Sequence, residues 1–381
     1  MNQGFRMFLK QTVKNIPRWM WMYYILIGLW AGTTAMHIPD GYLSPVTCAL
    51  MAVLVLPFWV RGVQMLREKM TARNISLVAL FAAFSFVIMM FNVPLPGGTT
   101  GHAVGGALAA IILGPEIATI AISVALVIQA FFFGDGGILT LGANCFNMAV
   151  VLPYVSFAIY QAISRNAPLN SKRRMVGAAL GGWAGLTSAA FFAAVEFGVQ
   201  PLLWHTADGT PLYAPYPLSV SIPVMVIPHA LVASVVEGGV TALVIAYLMR
   251  ANQPALEMVN KTPIAAETGR FARWRGLWVG LAALVVLTPL GLLAPGTAWG
   301  EWSARRLNGL GLSFVPQGLA QLSGLWSAPM AEYKVSALRN GNTAYLFSAV
   351  VGILITIGVA WLFSLLVTSS KAPVSEGENG K

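Results

Sequence analysis

Long uninterrupted apolar runs constrain this chain more than any other feature. They lie at 45–60, 75–93, 116–133, 144–163, 175–199, 219–248, 276–293 and 344–368. An α-helix rises about 1.5 Å per residue, so about 20 apolar residues cross the roughly 30 Å hydrocarbon core of a bilayer. A spanning helix satisfies its own backbone polar groups, whereas a barrel would need alternating strands. The runs are continuous, which predicts an all-α, polytopic helical membrane protein. Only 9% of the residues are charged, against roughly 25% in soluble domains.

The net charge is +10. In a soluble protein that excess would suggest nucleic acid. Here Lys and Arg cluster at 6–18, 61–73, 165–174 and 250–275, while 36–44, 94–104, 134–143 and 200–218 carry none. This alternation is the positive-inside pattern. It places the basic segments in the cytoplasm and requires no nucleic-acid partner.

Residues 19–32 are apolar but short for a span. They follow Arg6, Lys10, Lys14 and Arg18 and precede the small residues Thr33-Thr34-Ala35. That order is the order of a secretory signal, cleaved before Met36. The other reading is an uncleaved first helix, and a start displaced upstream would leave the same mature terminus. Residues 36–250 form the first membrane domain. Within it the apolar piece 103–113 is too short to cross, so the preceding VPLPGGTTGH is expected to dip into the membrane from outside. Non-helical backbone at that depth must be covered by protein or line a polar cavity.

Residues 251–275 are polar and basic and read as a cytoplasmic linker. Residues 276–368 form a two-span accessory unit with an outer segment at 294–343, where Trp299, Trp302 and Trp326 suit the membrane interface. A polar tail, 369–381, follows. Cys48 and Cys145 fall near outer helix ends, either as free buried thiols or as one disulfide.

The chemistry centres on two histidines on the outer side. Cleavage before Met36 would leave its free amine as a metal ligand. His37 would then be the second residue, so its amide and ring nitrogens could close chelate rings with that amine. His102, at the end of the dipping loop, could supply a fourth nitrogen. Planar nitrogen sites suit Ni(II) or Cu(II), and imidazole binds most late first-row metals. The amide proton must leave, so affinity should rise with pH. Without cleavage the Met36 nitrogen is an amide and the chelate is lost.

Other polar residues carry two readings each. Asn144 and Asn147 open a helix on the outer side, where Asn144 either caps it or holds the loop near the site. Asp135 is a turn residue or adds negative potential beside the site. Gln129 supports the site or packs. His229 and Glu237 share a helix face and favour a structural or gating role over ligation. Glu116 suits a helix start. Glu196 has no assigned role, and His205 reads as interfacial. Ala49 and Ala52 could admit a partner helix or pack within the bundle.

Several segments resemble a known family in order along the chain. MHIPDGYLSP at 36–45, PGGTTGHAVGG at 96–106, GDGGILTLGANCFNMA at 134–149 and PHALVASVVEGGVTALV at 228–244 are similar to the CbiM/NikM substrate-binding S components of cobalt/nickel energy-coupling-factor transporters. The resemblance implies an S-component bundle of six to seven helices with a loop dipping in from outside. It implies metal ligation by Met36, His37 and His102, with Co(II) or Ni(II) as transported substrate and no cofactor. Residues 276–368, including LTPLGLLAPGTAWGEW at 287–302, resemble the CbiN/NikN accessory component, here fused.

The family does not hydrolyse ATP, and the sequence holds no GxxxxGK[ST] phosphate loop. The partners implied are a transmembrane T component and ATPase subunits in the cell membrane. Two rivals stand beside this reading. A gradient-driven metal permease would need carboxylates through the bundle, and only Glu116, Glu196 and Glu237 sit in or beside the core spans. An intramembrane metalloenzyme would need an open coordination position and a general base.

Overall fold

In the computed structural model, residues 37–69, 75–96, 99–251, 275–294, 297–303, 307, 312 and 314–369 are described. The signal or first-helix segment, Met36, linker residues 252–274 and the tail from 370 lie outside the described residues. The chain is all-α apart from one two-stranded hairpin. Helix α1 (Pro45–Lys69) is followed by α2 (Ile75–Met89), strands β1 (Val93–Leu95) and β2 (Thr99–Gly101), α3 (Gly106–Leu113) and α4 (Pro115–Ile128). Then come α5 (Leu141–Ser164) and α6 (Lys172–Leu203). Helix α7 begins as Leu218–Pro228 and continues as Ser234–Ala251. The accessory unit supplies α8 (Arg275–Leu287), the short α9 (Gln317–Leu322) and α10 (Gly341–Ser369).

Seven helices among the described residues are long and apolar enough to cross a bilayer: α1, α4, α5, α6, α7, α8 and α10. The run at 75–93 departs from the expectation. Its helix α2 stops at Met89, because Pro94 lacks an N–H and restricts the residue before it. From Leu77 to Met90 nearly every α2 side chain is buried, and α10 packs along it. The two units therefore share one core.

Small residues bring α6 against its neighbours. Gly177, Gly181 and Gly185 recur every four residues and face α5. A side chain at Gly181 would meet the Ser156 carbonyl oxygen at 2.6 Å, and one at Gly185 the Leu152 carbonyl oxygen at 2.7 Å. This is the small-residue stripe by which membrane helices approach closely. By contrast, Val46, Leu50, Val53, Leu56 and Val60 of α1 stay exposed, as lipid-facing positions do.

Three helices widen into π turns: Gln129–Phe133 at the end of α4, Cys145–Val151 within α5 and His229–Ala233 within α7. Such turns break the regular ladder and re-aim side chains. All three carry residues that surround one outer region of the bundle.

Candidate metal centre

The segment from His37 to Ser44 folds into the turn that links Gly134 to α5. Asp40 fixes it: its carboxylate accepts N–H bonds from Ile138 (3.0 Å), Leu139 (2.9 Å) and Thr140 (3.2 Å). Burial raises the Asp40 carboxyl above its ordinary range, and these three bonds oppose the shift. Ile38 is held on both sides: its N–H donates to Asn144 Oδ1 (3.1 Å) and its carbonyl accepts from Asn144 Nδ2 (3.1 Å) and from the Gly137 N–H (3.0 Å). The Gly-rich turn permits this contact. Gly136 has φ +91°, and a side chain there would meet His37 Cβ at 3.0 Å. Gly137 leaves no room at all against Asp40.

His37 is 2% exposed. Its Nδ1 lies 3.3 Å from both the carbonyl oxygen and the carboxylate Oδ1 of Asp135. Oxygens of this kind only accept, so Nδ1 carries a proton in this contact. Its Nε2 is buried and has no hydrogen-bond partner. An orphaned buried polar atom is costly unless something occupies it.

His102 is brought to the same place by the hairpin. Val93 pairs with Gly101 and Leu95 with Thr99, and the chain then turns into α3 through Gly105 at φ +76°. The loop is covered by protein: Thr100, His102, Ala103 and Val104 are all buried. His102 Nδ1 donates to the Ala103 carbonyl at 3.0 Å, which leaves Nε2 with its lone pair. The rings of His37 and His102 stand 5.1 Å apart at 83°. Burial first, and His37 second, push the His102 imidazole down to about 4, so it stays neutral and able to ligate at physiological pH.

Glu237 holds the loop from α7. Its two carboxyl oxygens accept the N–H groups of Val104 (2.8 Å), Gly105 (2.9 Å) and Ala107 (3.0 Å). They thereby satisfy the free donors that open α3.

The accessory unit reaches the same region. Tyr333 donates its hydroxyl to Asp135 Oδ2 at 2.7 Å and accepts from Gln129 Nε2 at 3.1 Å. The Trp302 carbonyl accepts from the Tyr42 hydroxyl, and Ala298 forms a bridge with Thr100 in the hairpin. Trp299 and Trp302 pack against Tyr216. Only Trp326 of the three is largely exposed, and its indole N–H donates to the Phe131 carbonyl.

Known proteins resemble the chain over both parts. The CbiM description, "Cobalt uptake substrate-specific transmembrane region", matches residues 37–255, and the "PDGLE domain" description matches 273–369. The chain belongs to the CbiM family. It is 49% identical over 352 residues to the "Fused nickel transport protein NikMN" of Rhodobacter capsulatus, covering 88% of this chain and all of that one. It is 41% identical over 330 residues to the "Probable fused nickel transport protein LarMN" of Lactiplantibacillus plantarum, covering 84% of this chain and 95% of that one. A crystal structure titled as a truncated transition metal transporter aligns with TM-score 0.53 at 48% identity, over 56% of this chain and 98% of the other. This CbiM-family chain is thus a multi-pass membrane protein with a fused accessory domain.

The remaining candidates fall into place around this centre. Asn144 is not a cap: α5 starts at Leu141, and its amide clamps Ile38 instead. Asn147 lies inside a π turn and donates to Glu196 at 3.0 Å. Asp135 is more than a turn residue, because it is buried against His37. Gln129 meets Asp135 twice, through Tyr333 and through its own carbonyl, which accepts the Asp135 N–H at 3.1 Å. His229 lines the cavity below His102, whereas His205 is exposed on an outer loop. Glu116 sits in the first turn of α4. Ala52 packs on Gly142, and Ala49 is exposed. Cys48 and Cys145 are both free and buried. Among the described residues no three His, Cys, Asp or Glu form a metal cluster.

Asp40, Thr140, Tyr333 and Glu301 escaped the sequence reading. Asp40 carried a signal, since an acidic residue followed by Gly marks a tight turn. The other three lie far from the histidine motifs, and nothing local points to them.

Proposed function

We propose that the chain is the substrate-binding subunit of an ATP-driven cobalt/nickel importer of the energy-coupling-factor type. It captures the ion outside through the Met36 amine, the His37 amide and ring nitrogens, and His102. The observation that carries this reading is the meeting of two buried imidazoles, His37 and His102, with ring centroids 5.1 Å apart beside the buried Asp135 carboxylate. A ring that closes on the His37 amide uses Nδ1, so the ion takes that nitrogen from its contact with Asp135, whose carboxylate then supplies negative charge beside the cation. The planar all-nitrogen set supports nickel over cobalt, in keeping with the nickel transport proteins it resembles.

Energy enters from partners: a transmembrane T component and ATPase subunits. Binding alone cannot concentrate an ion. The accessory unit braces the capture site from outside through Tyr333–Asp135–His37 and through Ala298 on the hairpin. Ni(II) titration of purified protein tests the reading. One ion per chain, lost in both His37→Ala and His102→Ala, is expected. Stoichiometric binding that survives both substitutions would overturn it, and uptake that persists in cells without any ATPase would overturn the energy source.

A further inference from the structure

A cavity of about 70 Å³ opens beside His102. His102, Asn144 and Asn147 line it from the first domain, with Met225 and His229 of α7. Glu301, three residues beyond the Ala298 bridge, lines it from the accessory segment. It is the one acidic side chain on that wall. Its Oε2 is buried and has no hydrogen-bond partner. Asn147 is also buried, and its Oδ1 is unpartnered in the same way because its Nδ2 is spent on Glu196. His229 Nδ1 donates to the Met225 carbonyl at 2.7 Å, so its Nε2 holds a lone pair. Burial, and next the charge of Asp135, raise the Glu301 carboxyl well above its usual range.

We propose that this cavity is a second, transit site for the divalent cation, in which the Glu301 carboxylate, His229 Nε2 and Asn147 Oδ1 receive the ion on its way to or from His102. The inference rests on the capture reading above. The donors are of the right kind: imidazole and oxygen ligands both bind late first-row divalent ions. A carboxylate supplies the negative charge that a cation needs away from water. Three mixed donors hold an ion less tightly than a four-nitrogen chelate, which suits a place of passage. The fused unit thereby contributes a ligand of its own to the path of the ion, beyond bracing the capture site.

Loading and release kinetics test it. The full chain, reconstituted in lipid nanodiscs, is mixed with Ni(II) in a stopped-flow instrument and later with excess EDTA. Absorption of the bound ion follows both phases. Glu301→Gln is nearly isosteric. It should slow loading and release together by about tenfold, the scale of losing one supporting ligand. Their ratio, and the one-ion stoichiometry, should not change. His229→Gln should act in the same direction, and Glu301→Asp should restore part of the rate. Rates within about twofold of wild type in both Gln variants would overturn the transit site. So would loss of stoichiometric binding in Glu301→Gln, because Glu301 would then belong to the capture site. A wild-type chain that takes up neither Ni(II) nor Co(II) would overturn the capture reading and this inference with it. Wild-type loading with unaffected variants would remove this inference alone.

Discussion

Glu237→Gln is the perturbation most specific to the loop that carries His102. Glu237 is 1% exposed and bonds three backbone N–H groups with two oxygens. That is the acceptor-only pattern of a carboxylate. Glutamine keeps one oxygen, which can still serve Val104 and Gly105. Its amide N–H₂ then faces the Ala107 N–H, donor against donor. One buried donor left unpaired costs about 1–3 kcal/mol, and the two retained bonds lose their charge assistance at about 1 kcal/mol each.

The local loss is therefore about 3–5 kcal/mol, and it falls on the segment that presents His102. Only the part that depopulates the ligating loop appears in affinity, so Ni(II) binding should weaken by about tenfold to about a hundredfold. Isothermal titration with Ni(II) measures this. A His102→Ala background supplies the control, because there the second substitution should add little. Wild-type affinity in Glu237→Gln, or the same loss in both backgrounds, would refute the coupling of Glu237 to the site.

Four further outcomes follow from the geometry. Asn144→Ala removes both bonds to Ile38, at about 0.5–1.5 kcal/mol each, and should lower Ni(II) affinity by about tenfold in the same titration. Asp135→Asn should lower it by about tenfold to a hundredfold, the usual effect of removing the carboxylate behind a ligating histidine. Between pH 6.5 and about 4 the folded chain holds fewer protons on His102 than the unfolded chain does. Stability should thus fall as pH drops through that window, and melting of His102→Gln should lack that component of the slope. Deleting 276–381 should reduce metal uptake in cells while the core stays in the membrane, as measured by uptake and membrane fractionation.

The spanning-length helices were legible because they rest on long-range averages. Seven of the eight apolar runs became such helices, most with ends close to those read from the sequence, while the first runs on from 60 to Glu68. Helix α2 was misread as a span because hydropathy cannot tell a helix buried in protein from one buried in lipid. The protein-covered, non-helical loop before α3 was legible from its Pro and Gly content and its short apolar successor, but its strands were not, since three residues each are too few to show a period.

At the site, His37, His102, Asp135 and Asn144 stand in short motifs, and the structure brings all four together. The hydrogen bond from Tyr333 to Asp135 spans 198 residues in sequence, and no local pattern encodes such a meeting. Trp299 packs on Tyr216 and Phe197, and Trp302 on Tyr216, contacts between distant segments that the sequence around the tryptophans does not encode.

The central claim is that a processed N-terminus completes the metal site. Intact-mass and N-terminal sequence analysis of the purified protein, with metal content determined on the same sample, tests it most directly. The account predicts a terminus at Met36 and one nickel or cobalt ion per chain. An intact Met1 with the ion still bound, or a terminus at Met36 that binds none, would contradict it.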